Sequence, residues 1–154
     1  MAKLAKFTMG GIDKFFHIST HGCFSNSTTA TEKNKTFRIA RKPNDWVTRI
    51  KVDGCLINGN IIRCDFAFVL EDKQSIIFVE LKSEDINHAY DQIVNTIAFF
   101  KSFMLLDKQQ IEGCIVSSSV PRHANLKFQS LVAKFKKEHG TSLSKHTNQC
   151  IRGI

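Results

Sequence analysis

The chain has 154 residues and a formal net charge of +8, with 22 Lys and Arg against 14 Asp and Glu. A chain of this length makes one domain and buries about 70% of the surface its unfolded form exposes, so it needs no staples to hold a core. No window approaches the ~18 to 20 uninterrupted apolar residues of a membrane-spanning helix.

The opening, MAKLAKFTMGGIDKFF, is basic but has no long apolar stretch leading to a small-residue cleavage site, so it does not read as a signal peptide. Phe15, Phe16 and Ile18 suggest a short strand or turn. Residues 25–36, SNSTTATEKNKT, are polar and low in apolar residues, which reads as a flexible loop. TFRIA and WVTRIKVDGCLI then read as strands, with ARKPND as the turn between them and NGN as a hairpin signal. IIRCDFAFVL and SIIFVELK, joined by EDKQ, are short, β-branched and aromatic, which argues for two more strands. Ser83 stands where a helix N-cap belongs, and Glu84 and Asp85 follow where carboxylates complement the helix dipole. Apolar residues at Ile86, Ala89, Tyr90, Ile93, Ile97, Phe100 and Met104 have the spacing of one helical face. DKQQ breaks that helix and IEGCIVSSSV reads as a strand. A last helix is expected near residues 125–139, with Phe128, Leu131, Val132 and Phe135 inward and Gly140 as its stop. The expected fold is α/β: a single domain spanning 1–154, its core at about 37–140, with a central mixed β-sheet flanked by helices.

Five cysteines, Cys23, Cys55, Cys64, Cys114 and Cys150, have wide, irregular gaps and no CxxC pair. They read as free thiols in a reducing cytoplasm, which makes a cytoplasmic protein the expectation. His17, His21 and Cys23 fall short of the four ligands a structural zinc normally takes.

Charge is unevenly distributed. Seven of the 14 acids lie between Asp65 and Asp91, whereas 122–145 holds six Lys and Arg with Glu138 as its one acid. An acidic cluster inside a basic protein suggests a cation site within a polyanion-binding surface. Strand side chains alternate between faces, so Arg63, Asp65 and Ala67 share one face and Cys64, Phe66 and Phe68 the other. Ile76, Phe78, Glu80 and Lys82 likewise share a face at the end of the next strand. If the two strands form a hairpin, Asp65 sits beside Glu80 and Lys82. Two carboxylates with waters make a magnesium site, and a neighbouring lysine can orient or activate a water. The plain alternatives are a solvated Glu–Lys face and an Asp65–Arg63 pair.

Asp65, then Glu80-Leu81-Lys82, then a helix resembles the core of the PD-(D/E)xK nucleases, the restriction-endonuclease-like superfamily. The stretch FVELKSEDINHAYDQI is similar to its small stand-alone and Holliday-junction resolvase-like members. The resemblance covers roughly residues 51–103. It implies a restriction-endonuclease-like core in which Asp65 and Glu80 hold Mg2+, with Mn2+ as an alternative, and Lys82 assists the attacking water. Gln92 matches a glutamine that many members carry on the following helix. The family's proline before the first Asp is replaced by Cys64, and no helix bearing a glutamate precedes the motif. Glu32 lies in a polar stretch, and Asp53 is either an extra acid or part of an Asp-Gly turn.

Arg122, Lys127, Lys134, Lys136 and Lys137 are candidates for a phosphate track, or form an ordinary solvated face. His88 and Tyr90 sit near the start of the first helix, where His88 reads as a surface residue. The resulting expectation is a metal-dependent endonuclease acting on DNA, structure-specific or weakly sequence-specific, and a homodimer. A binding or interaction module without turnover and an RNA-targeting defence or toxin component are the alternatives.

Overall fold

The computed structural model describes residues 22–40, 47–81, 85–102, 104–118 and 124–153. They form a mixed α/β domain built on two sheets. The larger has six strands in the order β1-β4-β5-β6-β7-β8. These are β1 (Phe24–Ser25), β4 (Val47–Lys51), β5 (Phe66–Leu70), β6 (Ser75–Glu80), β7 (Ile111–Ser117) and β8 (Ser142–Thr147). Pairing is antiparallel from β1 through β6 and parallel for β6–β7 and β7–β8. Parallel neighbours need long crossovers, and these are α1 (Ile86–Lys101) and α2 (Ala124–Glu138). The second sheet has three strands: β2 (Thr29–Glu32) pairs antiparallel with β3 (Lys35–Ala40), which pairs parallel with β9 (Gln149–Gly153).

The period-2 pattern sorts the large sheet into two faces. Ala67 and Val69 of β5, Ile76 and Phe78 of β6 and Ile111 and Ile115 of β7 join a core with Ile93, Ile97 and Phe100 of α1 and Phe135 of α2. Phe66, Phe68, Ile77, Val79 and Val116 point the other way and pack with Ala30, Phe37 and Ile39 of the small sheet. The Phe37 and Phe68 rings, 5.0 Å apart, join the two sheets directly. The large sheet is therefore covered by both helices on one face and by the small sheet on the other, rather than flanked by helices alone. Among the described residues no helix is long and apolar enough to cross a membrane.

Several elements differ from their expected form. Residues 25–36, expected as a flexible loop, carry β2 and the start of β3, closed by a two-residue turn at Lys33 and Asn34, both at positive φ. Such turns match the twist of a hairpin, and Asn takes this conformation readily. Alternating burial turns the polar strand amphipathic, with Ala30 inward. Strands β8 and β9 lie wholly or largely beyond the expected core of 37–140, yet Leu143 and Cys150 are core residues. β5 begins at Phe66, so Asp65 precedes the strand rather than lying inside it. Cys64, expected on the face of Phe66 and Phe68, instead packs in the helix-side core. The N-cap of α1 is Asp85, whose carboxylate accepts the N–H groups of Asn87 and His88, at 2.9 and 3.3 Å. Ser83 and Glu84, expected as cap and first turn, lie outside the described residues, as do Phe15, Phe16, Ile18 and residues 41–45 of the ARKPND turn, whose Ala40 ends β3.

Cys23 and Cys55 form a disulfide with Cα atoms 5.7 Å apart, while Cys64, Cys114 and Cys150 are free. The expectation of free thiols throughout is thus corrected for two of the five. Irregular spacing concealed the pair, because the β1–β4 pairing that brings the two segments together is non-local.

Gly140 follows α2 for a steric reason. A Cβ there would lie 2.6 Å from the Ile111 carbonyl oxygen and 2.6 Å from Cε1 of Phe135. Gly140→Ala is expected to cost about 1–3 kcal/mol through overpacking against backbone and a buried ring. The result is a lower urea midpoint at unchanged slope; an unchanged midpoint would contradict this packing.

Candidate active site

The edge of the β5–β6 pair organises the site. Phe66 opposes Val79 in the register, and one step further sets Asp65 opposite Glu80, the last residue of β6. The Asp65 N–H donates to the Val79 carbonyl at 3.1 Å, and the Asp65 carbonyl accepts the Val52 N–H at 3.0 Å. Its side chain is fixed as well: the Leu81 N–H donates to Asp65 Oδ2 at 2.7 Å. Asp65 is 2% exposed and Glu80 0%, so two carboxylates lie side by side in a region of low dielectric.

Cys64 registers their field. Burial is the main cause that pushes its thiol far above the ordinary cysteine range, and the negative charges of Glu80 and Asp65 add to it. Hydrogen bonding with Thr96 and with the Val79 backbone acts in the opposite direction. The two carboxylates offer oxygen donors, the type that a hard divalent ion such as magnesium takes.

α1 anchors the chain entering the site. Gln92 Nε2 donates to the Arg63 carbonyl at 3.1 Å, and Thr96 Oγ1 accepts the Cys64 N–H at 2.9 Å while donating to the Gln92 carbonyl at 2.7 Å. Gln92 and Thr96 therefore hold the two residues before Asp65, Arg63 and Cys64 respectively, in place. Thr96 was missed in the sequence because a lone Thr inside a helix carries no pattern of its own.

Arg63, expected on the face of Asp65, pairs with Asp53: Nε lies 2.7 Å from Oδ1. Its Nη1 also donates to the carbonyls of Gly59 and Ile61 at 2.6 and 2.7 Å. Asp53 thus anchors a loop, and Gly54 at φ +75° makes the expected Asp-Gly turn. Asp53, Arg63, His88, Gln92 and residues 59–62 line an open cleft of about 270 Å3, in whose wall neither Asp65 nor Glu80 takes part. His88 faces this cleft. Tyr90 is buried, its ring 6.3 Å from that of Phe135, so it is a core residue.

Lys82 and Arg122 lie outside the described residues. Lys127, Lys134, Lys136 and Lys137 are all exposed on α2, which packs against β8 and α1. Helical spacing groups Lys127, Lys134 and Lys137 on one side and sends Lys136 to another. The structure thus brings Asp65, Glu80 and Gln92 to one end of β5, β6 and α1, while the four lysines occupy the helix over the β7–β8 side. Comparison with protein-family models, curated proteins and solved structures finds no match to this chain.

Proposed function

We propose that the chain is a magnesium-dependent endonuclease hydrolysing phosphodiester bonds in DNA, structure-specific or weakly sequence-specific, on a restriction-endonuclease-like core. The observation that carries this reading is the buried pair of Asp65 and Glu80 at the ends of adjacent antiparallel strands, with α1 following at once. The topology supports it: in the antiparallel β4–β5–β6 meander followed by a helical crossover to parallel β7, the helix follows directly after the strand that ends on Glu80. Asp65 and Glu80 would hold Mg2+ or Mn2+, which supplies charge stabilisation at phosphorus and a more acidic bound water. The Leu81 N–H keeps the Asp65 carboxylate oriented, and Lys82 stands two residues beyond Glu80 to orient or deprotonate the attacking water. Gln92 acts as a positioning residue through the Arg63 carbonyl. Lys127, Lys134 and Lys137, on one side of α2, supply a phosphate-binding surface to which Arg122 would add, Lys136 lying on another side of the helix, and a homodimer would present two sites to two strands. The cytoplasmic location expected from the cysteine pattern stands against the Cys23–Cys55 disulfide, which is of a kind rare in reducing compartments.

A second reading, a nucleic-acid-binding or interaction module without turnover, is favoured by one observation: Glu80 has no exposed surface. Incubation with supercoiled plasmid, branched DNA and structured RNA, each with Mg2+, Mn2+ or EDTA, separates the two. Metal-dependent cleavage that Lys82→Ala lowers by about 10²–10⁴ is the expected result, with Glu80→Ala abolishing cleavage and keeping binding. Salt-sensitive binding without cleavage of any of them would favour the module, and cleavage of RNA alone would replace DNA as the substrate.

A further inference from the structure

The second face of the large sheet carries a different set of donors. Cys114 of β7, His146 of β8 and Cys150 of β9 each place a potential ligand atom within 4.8 Å of the other two. The topology explains why they meet. Cys114 belongs to the β7 positions that face the small sheet, and Val116, two residues on, is opposite His146 in the β7–β8 register. Asn148, at φ +62°, then turns the chain from β8 into β9. Its N–H donates to the Ser117 carbonyl at 2.8 Å, and its carbonyl accepts the Thr36 N–H at 3.0 Å. The turn returns Cys150 to the cluster, where it pairs in register with Phe37.

We infer that Cys114, His146 and Cys150 form a binding site for a zinc-class divalent cation that clamps the two sheets together. Zn–S bonds of about 2.3 Å and Zn–N bonds of about 2.0–2.1 Å in a tetrahedron set ligand atoms roughly 3.5–3.8 Å apart. From separations of at most 4.8 Å the donors need to close by no more than about 1.3 Å to reach that geometry. Two thiols and an imidazole select a soft or borderline metal and reject Mg2+, which takes oxygen ligands. The fourth position is left to a water or another donor, as in zinc sites with three protein ligands.

Cys114 and Cys150 hydrogen-bond to each other. Arg152, two residues beyond Cys150, is held by Glu112 through contacts of 2.9 and 3.1 Å. Ser144 hydrogen-bonds Cys114, and its hydroxyl lies 3.2 Å from His146 Nε2. When Nε2 donates to that hydroxyl, Nδ1 retains its lone pair, the outer-shell arrangement common for ligating histidines.

The test needs no nuclease assay, so it stands apart from the proposed function. The full chain, stripped with a chelator in a non-thiol reductant, is titrated with Co2+ and then with Zn2+. One Co2+ per chain, with thiolate charge-transfer absorption and the visible bands of a tetrahedral ion, both lost on adding Zn2+, is the expected result. His146→Ala and Cys150→Ser should each weaken the affinity at least about tenfold, by analogy with the loss that even outer-shell changes produce. In the unmodified chain Zn2+ should slow alkylation of Cys114 and Cys150 at least tenfold and leave Cys64 unchanged. Absence of stoichiometric Co2+ binding, equal affinity in both variants, or alkylation rates indifferent to Zn2+ would each overturn the site. A Cys114–Cys150 disulfide that forms and persists in the presence of Zn2+ would overturn it as well.

Discussion

Replacing Asp65 with Asn should lower metal-dependent cleavage by a factor on the order of 10²–10³, the usual loss on removing one element of transition-state charge stabilisation, while the fold survives. The two effects separate because the Asp65 side chain has two tasks. Its Oδ2 accepts the buried Leu81 N–H at 2.7 Å, and an Asn carbonyl can accept the same hydrogen bond. Its negative charge, beside fully buried Glu80, is what a divalent ion requires and what Asn lacks. Loss of that charge also relieves like-charge repulsion, so Asp65→Asn should remain within about 1 kcal/mol of the parent stability. Asp65→Ala is expected to behave differently, leaving the Leu81 N–H without its acceptor at a cost of about 1–3 kcal/mol. Urea midpoints and nicking rates measured on the parent and both variants check the pattern. Full cleavage by Asp65→Asn would remove Asp65 from the metal site, and equal stability of the two variants would mean that the hydrogen bond to Leu81 is unimportant.

Reduction of Cys23–Cys55 should produce the largest change in stability. The two cysteines are 32 residues apart, and a cross-link closing a loop of that size stabilises by about 3–4 kcal/mol in the chain-entropy account. In a domain of this length the corresponding fall in Tm is roughly 10 °C. β1 is only two residues long and pairs with β4 through Phe24 and Ser25 alone, so the neighbouring disulfide carries much of the attachment of this edge. The same bond restrains the turn that presents Asp53 to Arg63 at the cleft. Calorimetry with and without reductant, with alkylation and mass spectrometry to verify the redox state, gives the result. A Tm unmoved by confirmed reduction would show that the cross-link adds nothing to the native pairing.

Where side-chain pattern and local context agreed, the sequence was readable. The apolar positions of α1 and α2, the strands β3 to β7 and the turn at EDKQ follow from periodicity and turn residues, whereas alternation fails just before β5, where Asp65 precedes the strand and Cys64 turns to the helix side. What escaped was non-local. β8 reads SLSKHT, and its partly buried polar residues give no strand signal; Leu143 fills the core while Lys145 lies 5.0 Å over the Phe128 ring. β2 and β9 become interpretable as strands only when paired through β3. Without β8 and β9 in place, neither the disposition of His146 nor its approach to Cys114 and Cys150 was accessible. The start of β5 was overestimated because apolar Ile61 and Ile62 extend its pattern, although both are exposed in the loop that Arg63 secures.

The parallel pairing of β3 with β9 has a consequence for biogenesis. The strands are separated by more than a hundred residues, since Thr36 is opposite Gln149, and contacts of such long range slow folding because chain closure comes before any reward. During synthesis the β2–β3 hairpin emerges early with one edge open, and its inward residues Phe37 and Ile39 have no final partner strand until β9 has been made. Open edges recruit other strands, so the nascent chain passes through a stage vulnerable to self-association that the finished molecule no longer displays. Its yield should therefore depend on translation speed and chaperone supply more than the stability of the completed domain would suggest.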